Sequence, residues 1–137
     1  MPAINYTRVL MAIVAAGVVT TFTDWLFMGV LFHKKYLAYP EVWRMKPGEP
    51  DAALIAWSQV LSLVSCAAFV VVCARFQVQA WTTLLKLAAA GWAMGPLPIL
   101  IQNALWTKVH PLITLAHVAG WLVRFLVYAI CVRLLLP

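Results

Sequence analysis

The sequence predicts an all-α integral membrane protein, with four transmembrane helices in an up-down bundle and the third helix kinked at Pro96 and Pro98. Three observations carry that prediction. The 137-residue chain is 65% hydrophobic and only 10% charged, whereas soluble domains carry about 25% charged residues. Four apolar runs each reach the roughly 20 residues that cross a bilayer. The alternating segments of about 10 residues that a membrane β-barrel needs are absent.

The first span is expected at about residues 8–32 and contains the 24-residue run VLMAIVAAGVVTTFTDWLFMGVLF. It is too long for the apolar core of a signal peptide, and no clear cleavage site precedes the charged turn. The second is expected at about 52–74, with Asp51 as its N-cap behind Pro50. The third covers about 83–106. Pro96 and Pro98 carry no backbone N–H, so the carbonyls of Trp92 and Met94 lose their helical donors and a kink is expected. The fourth covers about 111–136, with Pro111 at its first turn. A chain of this length is one domain, 1–137.

Only the segment 33–51, HKKYLAYPEVWRMKPGEPD, makes a long connection. Its aromatic residues Tyr36, Tyr39 and Trp43 suit a membrane interface. Pro40 is placed to begin a short interfacial helix, PEVWRM, which Pro47 and Gly48 stop. The segment reads as a headgroup-level loop or as a lid. The net charge of +6 comes mostly from residues at the ends of apolar runs, where they anchor to headgroups. Nucleic acid is therefore not an expected partner. An even span number puts both termini on one side. Lys and Arg then divide four against five between the two sides, excluding Arg124 within a span, which gives no orientation.

Asp24 is the residue that asks for an explanation. A carboxylate inside a span costs on the order of 2.5–3.5 kcal/mol on insertion scales and normally faces a partner or water. Candidate partners lie on the fourth span, where His117 and Arg124 stand a heptad apart. They belong to a stripe of His110, Thr114, His117, Trp121, Arg124 and Tyr128, spaced in steps of three and four. From the side carrying the 33–51 loop, Asp24 lies about 13 Å deep, His117 about 10 Å and Arg124 about 20 Å, at 1.5 Å per residue. Gln59 on the second span and Gln102 and Asn103 on the third occupy the same half of the bilayer. Trp25, Trp92 and Trp121 lie inside spans, as core filler or as the walls of an aromatic pocket. Gly91 and Gly95 form a GxxxG pair suited to close helix packing.

This polar centre has two readings. In one it binds a ligand, substrate or proton: Asp24 is the charged group, Arg124 its counter-ion and His117 a proton-exchanging partner. Gln59, Gln102, Asn103 and Trp121 then surround the ligand. In the other, a buried ion pair only fixes helix register. Enzyme chemistry ranks third, because no HExxH, GxSxG, P-loop or paired-carboxylate motif is present. No metal or cofactor is expected. Cys66 and Cys73 sit about 10 Å apart along one helix, too far for a disulfide, and His33 and His110 lie at the interface, where they suit no haem.

The segments TDWLFMGVLFHKKY, PILIQNALW and PLITLAHVAGWLVRFLVYAI resemble the small four-span bacterial proteins of the family called domain of unknown function 1761. Trp25 and Asn103 are the matching positions. The resemblance implies a multi-pass protein of a bacterial inner membrane and supplies no activity. Asp24, His117 and Arg124 rest on the residue argument alone. The function expected is therefore small-molecule binding or transport-like, with a structural or accessory subunit as the alternative. The expected partners are the bilayer, a small molecule and a second copy of the chain.

Overall fold

The computed structural model describes residues 4–40 and 52–136. The expected helix PEVWRM beyond Pro40, the interfacial Trp43 and the Asp51 N-cap lie outside the described residues.

Helix α1 spans Tyr6–Asp24 and continues into a π-helical segment, Trp25–Leu31. Helix α2 is the short His33–Leu37. Then follow α3 (Ala52–Arg75), α4 (Trp81–Met94), α5 (Pro96–Trp106) and α6 (Pro111–Leu135). Among the described residues there is no strand. Four helical stretches are long and apolar enough to cross a membrane: Tyr6–Leu31, Ala52–Arg75, Trp81–Trp106 and Pro111–Leu135. The protein is thus a helical, multi-pass membrane protein.

Local chemistry sets the helix ends. The Asn5 Oδ1 accepts from the Arg8 N–H at 3.2 Å and caps α1. At α6, Pro111 takes the first turn while His110 Nδ1 accepts from the Leu112 N–H at 3.1 Å. Helix α3 closes with Gln77 in the left-handed region at φ 51°. There the Val78 N–H reaches back to the Cys73 carbonyl at 2.9 Å.

Helix α6 is the centre of the bundle and packs against α1, α3, α4 and α5. Its buried face runs through Ile113, Ala116, Gly120, Phe125, Tyr128 and Val132. Opposite lie Val9, Ala12 and Ala16 of α1, whose alanines allow close approach, while Gly17 faces Leu63 of α3. Helix α3 contributes Ser62, Cys66, Val70 and Cys73 at steps of four, four and three. The three cysteines are free and buried. On the outer surface, residues such as Leu10, Val14, Val18 and Phe22 are exposed, as lipid contact requires.

The third span is interrupted. Helix α4 ends at Met94, Gly95 takes φ −113° and ψ −88°, and α5 restarts with Pro96 at its first position. One turn earlier, Gly91 faces α6 so closely that a Cβ there would lie 2.6 Å from Phe125 Cε1. Gly91→Leu is therefore expected to overpack this seam and destabilise the protein by about 1–3 kcal/mol. Thermal unfolding of the purified variant checks this, and an unchanged midpoint would refute the tight seam.

Candidate functional site

The small-residue packing of α1 on α6 brings the C-terminal end of α1 to the middle of α6. There Arg124 meets Asp24 in a two-pronged ion pair. The Arg124 Nε donates to Asp24 Oδ1 at 2.8 Å, and Nη2 donates to Asp24 Oδ2. Each side chain is only 13% exposed. This fork matches guanidinium to carboxylate and is the strong geometry for such a pair. The Arg124 Cζ also sits 4.4 Å from the centroid of the Trp121 ring, a cation–π contact. Asp24 and Trp121 thus hold the guanidinium on two sides.

Helix α3 adds Gln59. Its Nε2 donates to Asp24 Oδ2 at 3.5 Å, while its Oε1 faces Thr21 Oγ1 at 2.9 Å. A carboxylate only accepts, so the amide nitrogen belongs on the Asp24 side. Thr21 has one hydroxyl proton and two acceptors within reach, Gln59 Oε1 and the Gly17 carbonyl at 2.9 Å.

A second polar pair lies about two turns away along α6. Tyr36 of α2 and His117 share a hydrogen bond, Oη to Nε2, of 2.8 Å. The Tyr36 hydroxyl also contacts Met28 Sδ in the π-helical segment. Burial pushes the Tyr36 phenol above its ordinary range, so the O–H stays intact at neutral pH. Seven residues before His117, His110 stacks on Tyr39 with centroids 5.2 Å apart. These Tyr–His contacts fasten α2 to the start of α6. Tyr36→Phe is expected to cost about 1 kcal/mol, the worth of an ordinary hydrogen bond. It should speed hydrogen exchange at the α2 amides, and unchanged exchange would show that the contact does not hold α2.

The structure brings Asp24, Arg124, Gln59 and Trp121 into one network and sets His117 about two turns along α6 from Arg124, in a separate pair with Tyr36. It does not bring in Gln102 and Asn103, which are exposed on α5. Trp25 is 58% exposed, so it neither fills the core nor lines the centre. Trp92 donates from Nε1 to the Val118 carbonyl at 2.9 Å and ties α4 to α6. Sequence reasoning placed Tyr36 at the interface and missed its bond to His117. No local signal marks a contact across 81 positions.

Chemically, the network offers a donor. Asp24 takes two of the five N–H groups of Arg124. Among the described residues Nη1 has no protein acceptor, and every sealed side-chain nitrogen or oxygen is satisfied. The Nη1 group is therefore open to an outside acceptor. No cluster of three His, Cys, Asp or Glu suited to a metal ion occurs among the described residues.

Neither a curated protein nor a solved structure matches the chain. The family model described as Protein of unknown function (DUF1761) matches residues 11–133, and the chain belongs to that family.

Proposed function

We propose that the protein is a small-molecule-binding, transport-like membrane protein whose site is the polar centre at Asp24 and Arg124. One observation supports this: Arg124 is fixed by a carboxylate and an aromatic face, yet among the described residues its Nη1 has no protein acceptor. An ion pair needed only for packing has no use for an open donor. Intramembrane ionisable residues face cavities and pathways by default. In this reading Asp24 orients the guanidinium, Gln59 holds Asp24, and His117 with Tyr36 closes the loop-side end. Gln102 and Asn103 belong to the site only if α5 turns inward on binding.

The spans alternate in direction through a bacterial inner membrane in this proposal, with the third bending at the Gly95 break. A helical bundle suits that membrane, since outer-membrane proteins are characteristically barrels. The competing reading, a structural or accessory subunit, draws on the close satisfaction of Asp24 by Arg124 and Gln59. The double variant Asp24→Asn with Arg124→Met separates the two in a host lacking the native gene. Under our proposal it inserts and folds but does not restore the host. Full restoration would assign the pair to packing alone.

A further inference from the structure

At the end of the bundle where α1 begins, it meets the ends of α3 and α6 around a pocket of about 260 Å³. Drug-sized sites span about 300–1,000 Å³, so this one suits a small polar head. Asn5, Arg8, Gln77 and Gln79 are its polar walls, with Ile4, Val78 and Leu136 among the apolar ones. These residues lie at the ends of spans, so the pocket sits at the level of lipid headgroups.

Backbone acceptors around the pocket are already used, while its side-chain donors are open. The Cys73 carbonyl accepts from the Val78 N–H at 2.9 Å, and the Ala74 carbonyl from the Gln77 N–H at 3.3 Å. The Leu136 carbonyl accepts from Gln79 Nε2 at 3.1 Å. Asn5 uses its Oδ1 on the Arg8 N–H, which leaves its Nδ2 amide. Among the described residues, neither that amide, the Arg8 guanidinium nor the Gln77 side chain has a protein hydrogen-bond or ion-pair partner. Gln77 is also the only described non-glycine residue at positive φ, 51°. Glycine would hold that conformation at lower cost. What glutamine adds there is a side chain, and Gln77 lines the pocket.

Side-chain charge at this end has one sign. Arg75 closes α3, and Arg133 lies in the last turn of α6. Asp24 is committed to Arg124 midway along α6. The other acids, Glu41, Glu49 and Asp51, precede α3 in the sequence, whereas the pocket lies at its end. A cationic head would find no Asp or Glu here. A phosphate would find a guanidinium and two amides, and charge-assisted donors of this kind hold phosphate oxygens. We infer that the pocket binds a phosphate group, with Arg8 as its charged partner and the Asn5 and Gln77 amides as further donors. The apolar walls beside them suit the start of an acyl chain, so an anionic phospholipid is the favoured source and free phosphate the other. The inference does not draw on the Asp24–Arg124 centre.

The test is thermal unfolding of the full chain in dodecyl maltoside with dioleoyl phosphatidylglycerol, dioleoylglycerol or inorganic phosphate added. Phosphatidylglycerol is expected to raise the midpoint by about 5 °C, as a ligand well above its dissociation constant does. Dioleoylglycerol keeps the chains without the phosphate and should leave the midpoint unchanged. Arg8→Gln should remove the shift. Gln77→Gly, which suits the positive φ and so keeps the fold, should reduce it. Lys86→Gln removes an exposed cation of α4 outside the pocket and should retain it. An equal shift with dioleoylglycerol would overturn the phosphate assignment. A shift that survives both Arg8→Gln and Gln77→Gly, or no shift with either phosphate source, would remove the pocket as a site. Equal losses in Lys86→Gln and Arg8→Gln would reduce the effect to general attraction between anionic lipid and a basic surface. A shift with inorganic phosphate as large as that with phosphatidylglycerol, and lost in Arg8→Gln, would keep the phosphate site and overturn the lipid as its source.

Discussion

Arg124→Met alone is expected to destabilise the protein by about 3–5 kcal/mol, the usual cost of stranding one partner of a buried ion pair. Among the described residues, the change leaves Asp24, only 13% exposed, with a 3.5 Å hydrogen bond from Gln59 as its remaining side-chain hydrogen bond. Adding Asp24→Asn removes the stranded charge. The double variant should therefore recover most of the lost stability, since apolar or neutral replacements of buried pairs are often tolerated. Unfolding of the two single variants and the double closes the cycle. A double variant as unstable as the sum of the singles would show that Asp24 and Arg124 act independently, against the fork seen between them.

The same cycle separates stability from role. If the double variant unfolds like the native protein and still does not restore its host, what is missing is the chemistry of the Asp24–Arg124 pair and not its packing. That variant carries a neutral amide at position 24 and a thioether at position 124, and neither group replaces the guanidinium donor.

Much of this arrangement is legible in the sequence because membrane spans are read by length. Run length and the cost of a buried carboxylate together point from Asp24 to α6, where Arg124 receives it. The small face of α4 is legible in the same way, through Gly91 against Phe125. Position around the helix axis is harder to read. Gln59, Gln102 and Asn103 share a depth, yet only Gln59 turns inward. The reason is the Gly95 break, whose φ and ψ reset the phase of α5, so faces extrapolated from Gly91 no longer hold. A comparable shift follows Asp24. The π-helical segment widens the turn, its last bond running from the Phe32 N–H to the Phe27 carbonyl at 2.9 Å. An α-helical wheel therefore misplaces residues beyond that point, and Trp25 lies at the transition, exposed. The Tyr36–His117 bond depends on how α2 folds back over the bundle, which no periodicity encodes.

Tyr128→Ala is expected to cost about 3 kcal/mol, at the low end for removing a buried aromatic ring. Tyr128 is fully buried, and its Oη donates to the Ser62 carbonyl at 3.2 Å, joining α6 to α3. Its ring contacts Phe69 and Phe125, with centroids 6.0 and 5.5 Å away. Lipid tails are as apolar as the core, so the loss is one of packing and not of burial from water. Tyr128→Phe keeps the rings together and gives up only the hydrogen bond, at about 1 kcal/mol. The difference between the two variants therefore measures the aromatic cluster itself. Equal unfolding midpoints for the two variants would show that the ring contributes nothing beyond its hydroxyl, and the α3–α6 seam would then rest on Cys66 and Val70 instead.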